Sequence, residues 1–548
     1  MTSGTDVVHS NPASTPHASP ILFRLLPSIS DLIFILLLLS FACGSLSKGL
    51  LGDAGIGWHI RNGQNILAAH AIPHTDSFSA TMAGRPWYAW EWLYDLGIGF
   101  VHKHLGLNGV LFFTALVIAL TLTLVFRYTL QRGANVGVTI LLTLICTVAS
   151  SIHFLARPHV VGWLLTIVWF WIVDSSHPDA QAGRSRHHLF WLPLLMVVWV
   201  NMHGSFVLGF LLLGIFLLAD GLKLLKCRDP EQRKPAVAHI RGLSLALALS
   251  ALASIINPYG YKLHAHVYQY LTSRFLMQHI DEFRRPNFHG LPAQFFLLML
   301  LATFIGIVVA KGKLRWAEWL VILFSTLSGF YAARNLPVAS MLLTMVAAPL
   351  LSQAGAVQSR FSRLAPAVAL GDNLERRLRT HLWPVLVLVL SLWVCIQHGR
   401  LLGKQVMDAQ FDPTRFPIKA VEVLQQRGLH EPVFSIDSWG GYLIYQLSPQ
   451  AKVFIDDRHD FYGEQFLKDY LKVFHAQPDW EKVLDQWGVN LVLVPSKSAI
   501  GSALKATEGW TLDYQDNVAL LFRRRRTIMA RDVNRPLSST LARIDVEP

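Results

Sequence analysis

The chain has 548 residues, of which 52% are hydrophobic and only 15% charged, with a formal net charge of +13. Ordinary soluble domains carry about a quarter charged residues, so this composition excludes a cytosolic enzyme, a disordered chain and a nucleic-acid-binding tail. It leaves a polytopic membrane protein, in which excess Lys and Arg is expected in cytoplasmic loops as a topology signal.

In chain order, residues 1–27 are rich in Ser, Thr, Pro and His without periodicity and read as a disordered cytoplasmic tail. The first apolar run covers about 32–47. A long first external loop, 48–108, follows, with turn signals at Ile72-Pro73 and Gly84-Arg85-Pro86 and many aromatics that suit interfacial helices. Further apolar runs begin near Val110, Val136, Val160, Leu189, Phe206, Leu243, Phe295, Trp316, Leu336 and Leu382, which predicts about eleven transmembrane helices within 28–398. Cys43, Cys146 and Cys395 lie in apolar runs and Cys227 in a basic loop. No pair has disulfide-framework or metal-ligand spacing, so all four read as small core residues.

Residues 399–526 are of a different kind. Short β-like runs at 433–436, 452–455, 490–494 and 519–522 alternate with helical stretches such as 463–474, which predicts a soluble α/β domain. Residues 527–548 read as a flexible basic end.

Assigning alternate loops inward gathers Arg127 and Arg132, Arg184 and Arg186, the group from Lys223 to Arg241, Lys311, Lys313 and Arg315, and the group from Arg360 to Arg379. The positive-inside rule then places the N-terminus in the cytoplasm of a plasma (inner) membrane, and an odd span count places the α/β domain outside.

This topology collects the unusual polar residues at the external face: Asp53, Trp58, His59, Asp76, Glu91 and Asp95 in the first loop, then Arg157 and His159, Asn201 and His203, Asn257 to Gly260, the group from Asp281 to Arg285, and Arg334 with Asn335. Ionisable groups at membrane depth are costly and mark functional sites. Several have plainer readings. His59 beside Trp58 reads equally as an interfacial anchor, Asn201 and His203 as helix caps, and Asn257-Pro258-Tyr259-Gly260 as a span-ending turn. Arg157 and Arg334 abut apolar runs on the side the charge rule disfavours, which points to an anionic partner. A lipid phosphate fits such a face: Arg binds phosphate bidentately, and the apolar tail lies between spans. If the phosphate carries a sugar, one carboxylate acting as base toward an acceptor hydroxyl suffices, with cations stabilising the departing phosphate.

At Asp53, Trp58-His59, Gly63, Ile72-Pro73, Asp76-Ser77-Phe78-Ser79, Gly84-Arg85-Pro86-Trp87 and Glu91-Trp92-Leu93 the chain resembles the GT-C superfamily of polytopic glycosyltransferases, which use polyprenyl-phosphate-linked sugars on the external face. Arg157-Pro158-His159, Asn201 with His203-Gly204, Trp439-Gly440-Gly441-Tyr442-Leu443 and the run from Phe454 to Arg458 are similar to a bacterial group of GT-C-like proteins with an external α/β tail. The resemblance implies a GT-C-like fold and inverting transfer to an extracytoplasmic glycan, lipid or protein acceptor. It implies Asp53 as catalytic base, with Asp76 and Glu91 as catalytic support or acceptor contacts. His59, Arg157, His159, His203, Arg334 and Asn335 are the substrate-binding candidates, the phosphate clamp among them (Arg157, His159, Arg334) being chosen from topology. Trp439 and Tyr442 are candidates for an aromatic sugar platform, or Gly440-Gly441 simply permits close packing.

The chain departs from the group at Gly55 and Gly57, where a second acidic residue and a Trp are usual, which weakens a paired-carboxylate or metal site at Asp53. No cofactor is assigned: His59, His70 and His74 lack fixed ligand spacing, and a divalent cation stays open, as at Asp456 to Asp460. The competing readings are an envelope polysaccharide polymerase or ligase with a lipid-diphosphate donor, a lipid-sugar transporter, and a non-catalytic GT-C scaffold.

Overall fold

The computed structural model describes residues 26–177, 186–353, 365–378 and 381–525. The expected basic end at 527–548, nearly all of the expected tail at 1–27, and the loop charges Arg184, Arg360, Arg363 and Arg379 lie outside the described residues.

Helix α1 (Ile29–Ala42) starts at a capping box, in which Ser28 Oγ accepts the Asp31 N–H at 3.1 Å and the Asp31 carboxylate accepts the Ser28 N–H at 3.0 Å. These bonds satisfy amides that a helix N-terminus otherwise leaves unpaired. Helix α2 (Gly55–Ala69) and an irregular stretch through residue 91 lead into α3 (Trp92–Gln131), which is broken at Gly106, where φ is 61°. The apolar run predicted from Val110 therefore belongs to a helix that begins at Trp92. Its first turns bury Tyr94, Asp95 and Ile98, and this amphipathic opening is too polar for hydropathy to register.

The bundle continues through α4 (Val136–Ser150), α5 (His159–Ser175), α6 (Trp191–Met202), α7 (Val207–Lys226), α8 (Pro230–Ala253), the shorter α9 (Tyr261–Thr272), α10 (Leu291–Val309), α11 (Trp316–Tyr331), α12 (Leu336–Ser352), α13 (Ala365–Arg377) and α14 (Leu382–Ile396). Among the described residues, 6 helices are long and apolar enough to cross a membrane, and four shorter apolar helices of 10–17 residues accompany them. Together with α11, these helices take up the predicted apolar runs in order. Their outer faces carry exposed large apolar side chains, such as Leu297, Leu301, Phe304 and Val308 on α10, the surface that lipid contact requires. Cys146 and Cys395 are buried as expected, whereas Cys43 and Cys227 are only partly so.

The C-terminal region holds a four-stranded sheet, β1 (Val433–Ser435), β2 (Leu491–Pro495), β3 (Trp510–Gln515) and β4 (Ala519–Arg524), in spatial order β1-β2-β4-β3. The first pair is parallel and the others antiparallel. Because successive strand residues face opposite sides, Leu491, Leu493 and Leu521 join the core shared with the membrane helices. Val492, Val494 and Phe522 join a second core with α16 (Glu464–Phe474). Strand β3 has no counterpart among the predicted runs, since only Trp510 in it is buried. The predicted run at 452–455 is not a strand. There Val453 makes single parallel bridges to Val433 and to Ser79 of the first loop, which ties the two regions together.

Candidate active site

The helix starting after Asp53 is set by that residue: its Oδ1 accepts the Gly55 N–H at 2.7 Å. Gly55 is required by space, because a Cβ there would sit 2.5 Å from the Asp457 carboxylate and 2.9 Å from that of Asp53. Two residues on, Gly57 presses against the backbone of Gly441 in α15 (Asp437–Leu447). The two glycines that depart from the GT-C-like pattern are thus what lets the α/β domain dock on α2.

Above this contact lies a cavity of about 410 Å³. Its deep part is apolar and is built by Trp163 and Thr166 of α5, Leu208 and Leu211 of α7, Phe324 of α11, and Val338 and Ala339 of α12. Its mouth carries Glu91, Arg157, His159, His203, Glu282, Arg334, Asn335, Asp457, Arg458 and Asp460 among the aromatics Trp58, Trp87, Trp90 and Tyr270. The N-termini of α5, α7 and α12 all meet it, so their positive dipole ends add to the field of the arginines.

Glu91 sits just before α3 in a nest of imidazoles. His59 Nδ1 bonds Asp95 Oδ1 at 2.5 Å, and Asn62 Nδ2 donates to the other Asp95 oxygen at 2.6 Å. With Asp95 ionised, this contact puts the proton on Nδ1, and His59 Nε2 then offers a lone pair. That atom is buried, has no hydrogen-bond partner among the described residues, and faces Glu91 Oε2 at 3.9 Å. On the other side His203 Nε2 stands 3.6 Å from Glu91 Oε1, while its Nδ1 accepts the Ser205 N–H at 3.1 Å. Burial, and next the Asp95 charge, push the Glu91 carboxyl well above the ordinary range, with Arg157 opposing. Burial holds His59 well below its usual value, and burial with the Arg334 charge brings His203 to about 3. Both imidazoles are therefore neutral.

Arg157 bridges two carboxylates, donating to Asp53 Oδ2 at 3.2 Å and Asp457 Oδ2 at 3.1 Å. Burial opposes its charge, but Asp53, Asp457, Glu282 and Glu91 outweigh that and hold it charged above the usual arginine range. Burial pushes Asp457 up to about 6 against the pull of Arg157, with Asp53 and Asp456 adding to the rise, and its Oδ1 accepts the Trp58 indole N–H at 2.9 Å. Arg334 lies 3.4 Å from Glu282 Oε1 and 4.5 Å over the Phe283 ring. Burial would raise Glu282, but Arg334 and Arg157 prevail and hold it at about 2. His159 Nε2 donates to the His153 carbonyl at 2.8 Å, and Asn335 Nδ2 to that of Ser328 at 3.1 Å.

Of the sequence candidates, the structure brings Glu91, Arg157, His159, His203, Arg334 and Asn335 to the cavity wall, with His59 directly behind Glu91. Asp53 does not line the cavity and reaches it through Arg157. Asp76 is a turn anchor: it accepts the Ser79 N–H at 2.9 Å and Arg458 Nη2 at 2.8 Å, and so holds the guanidinium of Arg458 4.6 Å over Trp87. Trp439 and Tyr442 form no sugar platform. Trp439 Nε1 donates to the Arg415 carbonyl at 2.9 Å, and Tyr442 is 1% exposed against Phe411 and Phe416. Gly440 and Gly441 serve close packing, which turns these aromatics into core. Asp457 and Asp460, open in the sequence as part of a cation site, and Glu282, one of the external charged group, also line the cavity; the sequence did not join them to Arg157 and Arg334, because each is one carboxylate in a charged run that also reads as a solvated loop. A cation at Asp53 would compete with Gly55 N–H and Arg157; the metal-type grouping among the described residues, His177, Asp220 and His239, lies elsewhere.

No protein-family model and no curated protein sequence matches the chain. Solved structures do. The apo oligosaccharyltransferase of Archaeoglobus fulgidus superposes with a TM-score of 0.52 at 10% identity, over 87% of this chain and 69% of that one. The same organism's AglB in complex with an inhibitory peptide and a dolichol-phosphate gives 0.51 at 11% identity, over 92% and 74%. ArnT from Cupriavidus metallidurans bound to undecaprenyl phosphate gives 0.49 at 12% identity, over 92% and 98%. The chain has the fold of the archaeal oligosaccharyltransferase, the GT-C fold that its first-loop motifs resemble.

Proposed function

We propose that the chain is a glycosyltransferase that moves a sugar from a polyprenyl-phosphate donor to an acceptor outside the plasma membrane, with the N-terminus cytoplasmic and the α/β domain external. The observation that carries this reading is the two-part wall of the cavity. An apolar slot between α5, α7, α11 and α12 ends in a mouth of arginines, helix N-termini and indoles, which suits one amphiphile with a polyprenyl tail, a phosphate and a sugar. The archaeal oligosaccharyltransferase of this fold binds a dolichol-phosphate, which supports a lipid-linked carrier.

In the proposed step, Glu91 takes the proton of the acceptor hydroxyl as its oxygen bonds to the anomeric carbon. The bond from that carbon to the phosphate oxygen breaks on the opposite side, and polyprenyl phosphate leaves with the electron pair. Arg157 and Arg334 hold the departing charge, which needs no proton. Its raised carboxyl makes Glu91 a stronger base than an ordinary carboxylate, and His59 Nε2 faces it to share the proton it gains. Asp53 positions Arg157 and does not itself meet the acceptor.

The test supplies the purified chain in proteoliposomes with polyprenyl-monophosphate and polyprenyl-diphosphate sugars and a panel of acceptors. Transfer from the monophosphate donor, lost in Glu91→Gln, supports the reading. Transfer from the diphosphate donor alone, or movement of the lipid across the bilayer without bond formation, contradicts it.

A further inference from the structure

His177, Asp220 and His239 come from three different elements: the turn closing α5, the last turns of α7 and the first half of α8. All three are buried. Both imidazoles address one carboxylate, His177 Nε2 at 3.1 Å from Asp220 Oδ1 and His239 Nδ1 at 2.6 Å from Oδ2. The two rings are 5.2 Å apart and nearly perpendicular at 84°. One ligand atom from each of the three lies within 4.8 Å of the others. The second nitrogen of His239 is held by Ser176 Oγ at 2.9 Å, the outer hydrogen bond that fixes the orientation of a metal-bound imidazole. His177 and Asp220 also face a second cavity of about 210 Å³, with Lys223 and Arg315 in its wall.

We propose that His177, Asp220 and His239 bind one divalent transition-metal ion of the zinc class. Two imidazole nitrogens and a carboxylate oxygen are a donor set that zinc accepts, leaving one position for water or an anion from the adjoining cavity. Calcium and magnesium prefer all-oxygen sets, and a mixed nitrogen and oxygen set discriminates against them. The ion takes the place of the two N–H protons that Asp220 otherwise accepts. The site is distinct from the cavity at Glu91: α5 lines that cavity only as far as Thr166, and the rest of the helix to Ser175, at 1.5 Å per residue, puts the cluster roughly 14 Å beyond that wall. Its role is a staple that joins α5, α7 and α8 at the end opposite the cavity.

The experiment uses the full-length chain, purified in detergent with a histidine-free tag, stripped with chelator and titrated with zinc and, separately, cobalt. The expected result is one equivalent of zinc per chain. Cobalt is expected to give the visible absorption of a low-symmetry, four- or five-coordinate site, displaced by zinc, and the melting temperature to rise on loading. His177→Gln, Asp220→Asn and His239→Ala are each expected to lose that equivalent. If the unaltered chain takes up no stoichiometric metal, a result independent of how the variants fold, the cluster is only a hydrogen-bonded clamp. Retention of the equivalent by folded Asp220→Asn and His177→Gln equally overturns the proposal.

Discussion

Glu91 and Asp53 are both first-loop carboxylates, yet they meet different partners, and their loss has different consequences. Glu91 faces the cavity between two neutral imidazoles, so Glu91→Gln is expected to lower kcat by about 10²–10⁴ while donor affinity holds. Asp53 is spent on Gly55 N–H and Arg157, so Asp53→Asn is expected to raise KM for the donor more than it lowers kcat. Steady-state rates over donor concentration separate the two. Asp457, pushed up to about 6, is protonated below that pH and then releases its charge from Arg157. A phosphodiester donor, whose own charge does not change in this range, is therefore expected to bind several-fold tighter near pH ~5 than near pH ~7.5. In Asp457→Asn that difference disappears and binding is tight at both. Arg157, His159 and Arg334 were legible as site residues because a cation or imidazole beside an apolar run needs a reason to be there. The grouping of Glu91 with His59 and His203 was not, because it depends on how an irregular loop folds back over α2.

Elements explain why some residues that looked chemical are structural. Gly57 and Gly441 let α2 and α15 touch backbone to backbone, so Gly441→Val is expected to loosen the α/β domain while leaving helix content unchanged, read as faster limited proteolysis between α14 and β1. At the opposite ends of the bundle, Asp174 joins Arg132 at 3.3 Å and Arg315 at 2.8 Å, and both arginines also meet Glu318. These basic residues do more than orient loops: they tie α3, α5 and α11 together. Asp174→Ala leaves two poorly solvated guanidinium groups short of a partner, and a loss of about 3–5 kcal/mol is expected, measured as the shift in denaturation midpoint. The apolar helices were legible because lipid-facing and buried surfaces are both hydrophobic. The start of α3 and strand β3 were missed because an amphipathic helix end and an edge strand with a single buried residue carry neither a hydropathy nor a strong alternation signal.

At the scale of the whole molecule, the membrane helices and the α/β domain build one site between them. Asp457, Arg458 and Asp460 from the C-terminal region close a cavity whose floor is made by α5, α7, α11 and α12. A chain ending after α14 is therefore expected to insert in the membrane yet lose donor binding, read as retention of a labelled polyprenyl-phosphate lipid. The sequence separated these two regions by composition but did not join them in one site, since nothing local shows that Asp457 docks against Gly55. The measurement that bears most directly on the central claim is the structure of the Glu91→Gln chain determined with a polyprenyl-phosphate sugar. The phosphate is expected between Arg157 and Arg334, the sugar among Trp58, Trp87 and Trp90, and the tail between α5, α7, α11 and α12. A lipid bound elsewhere, with this cavity empty at saturating donor, would contradict the claim.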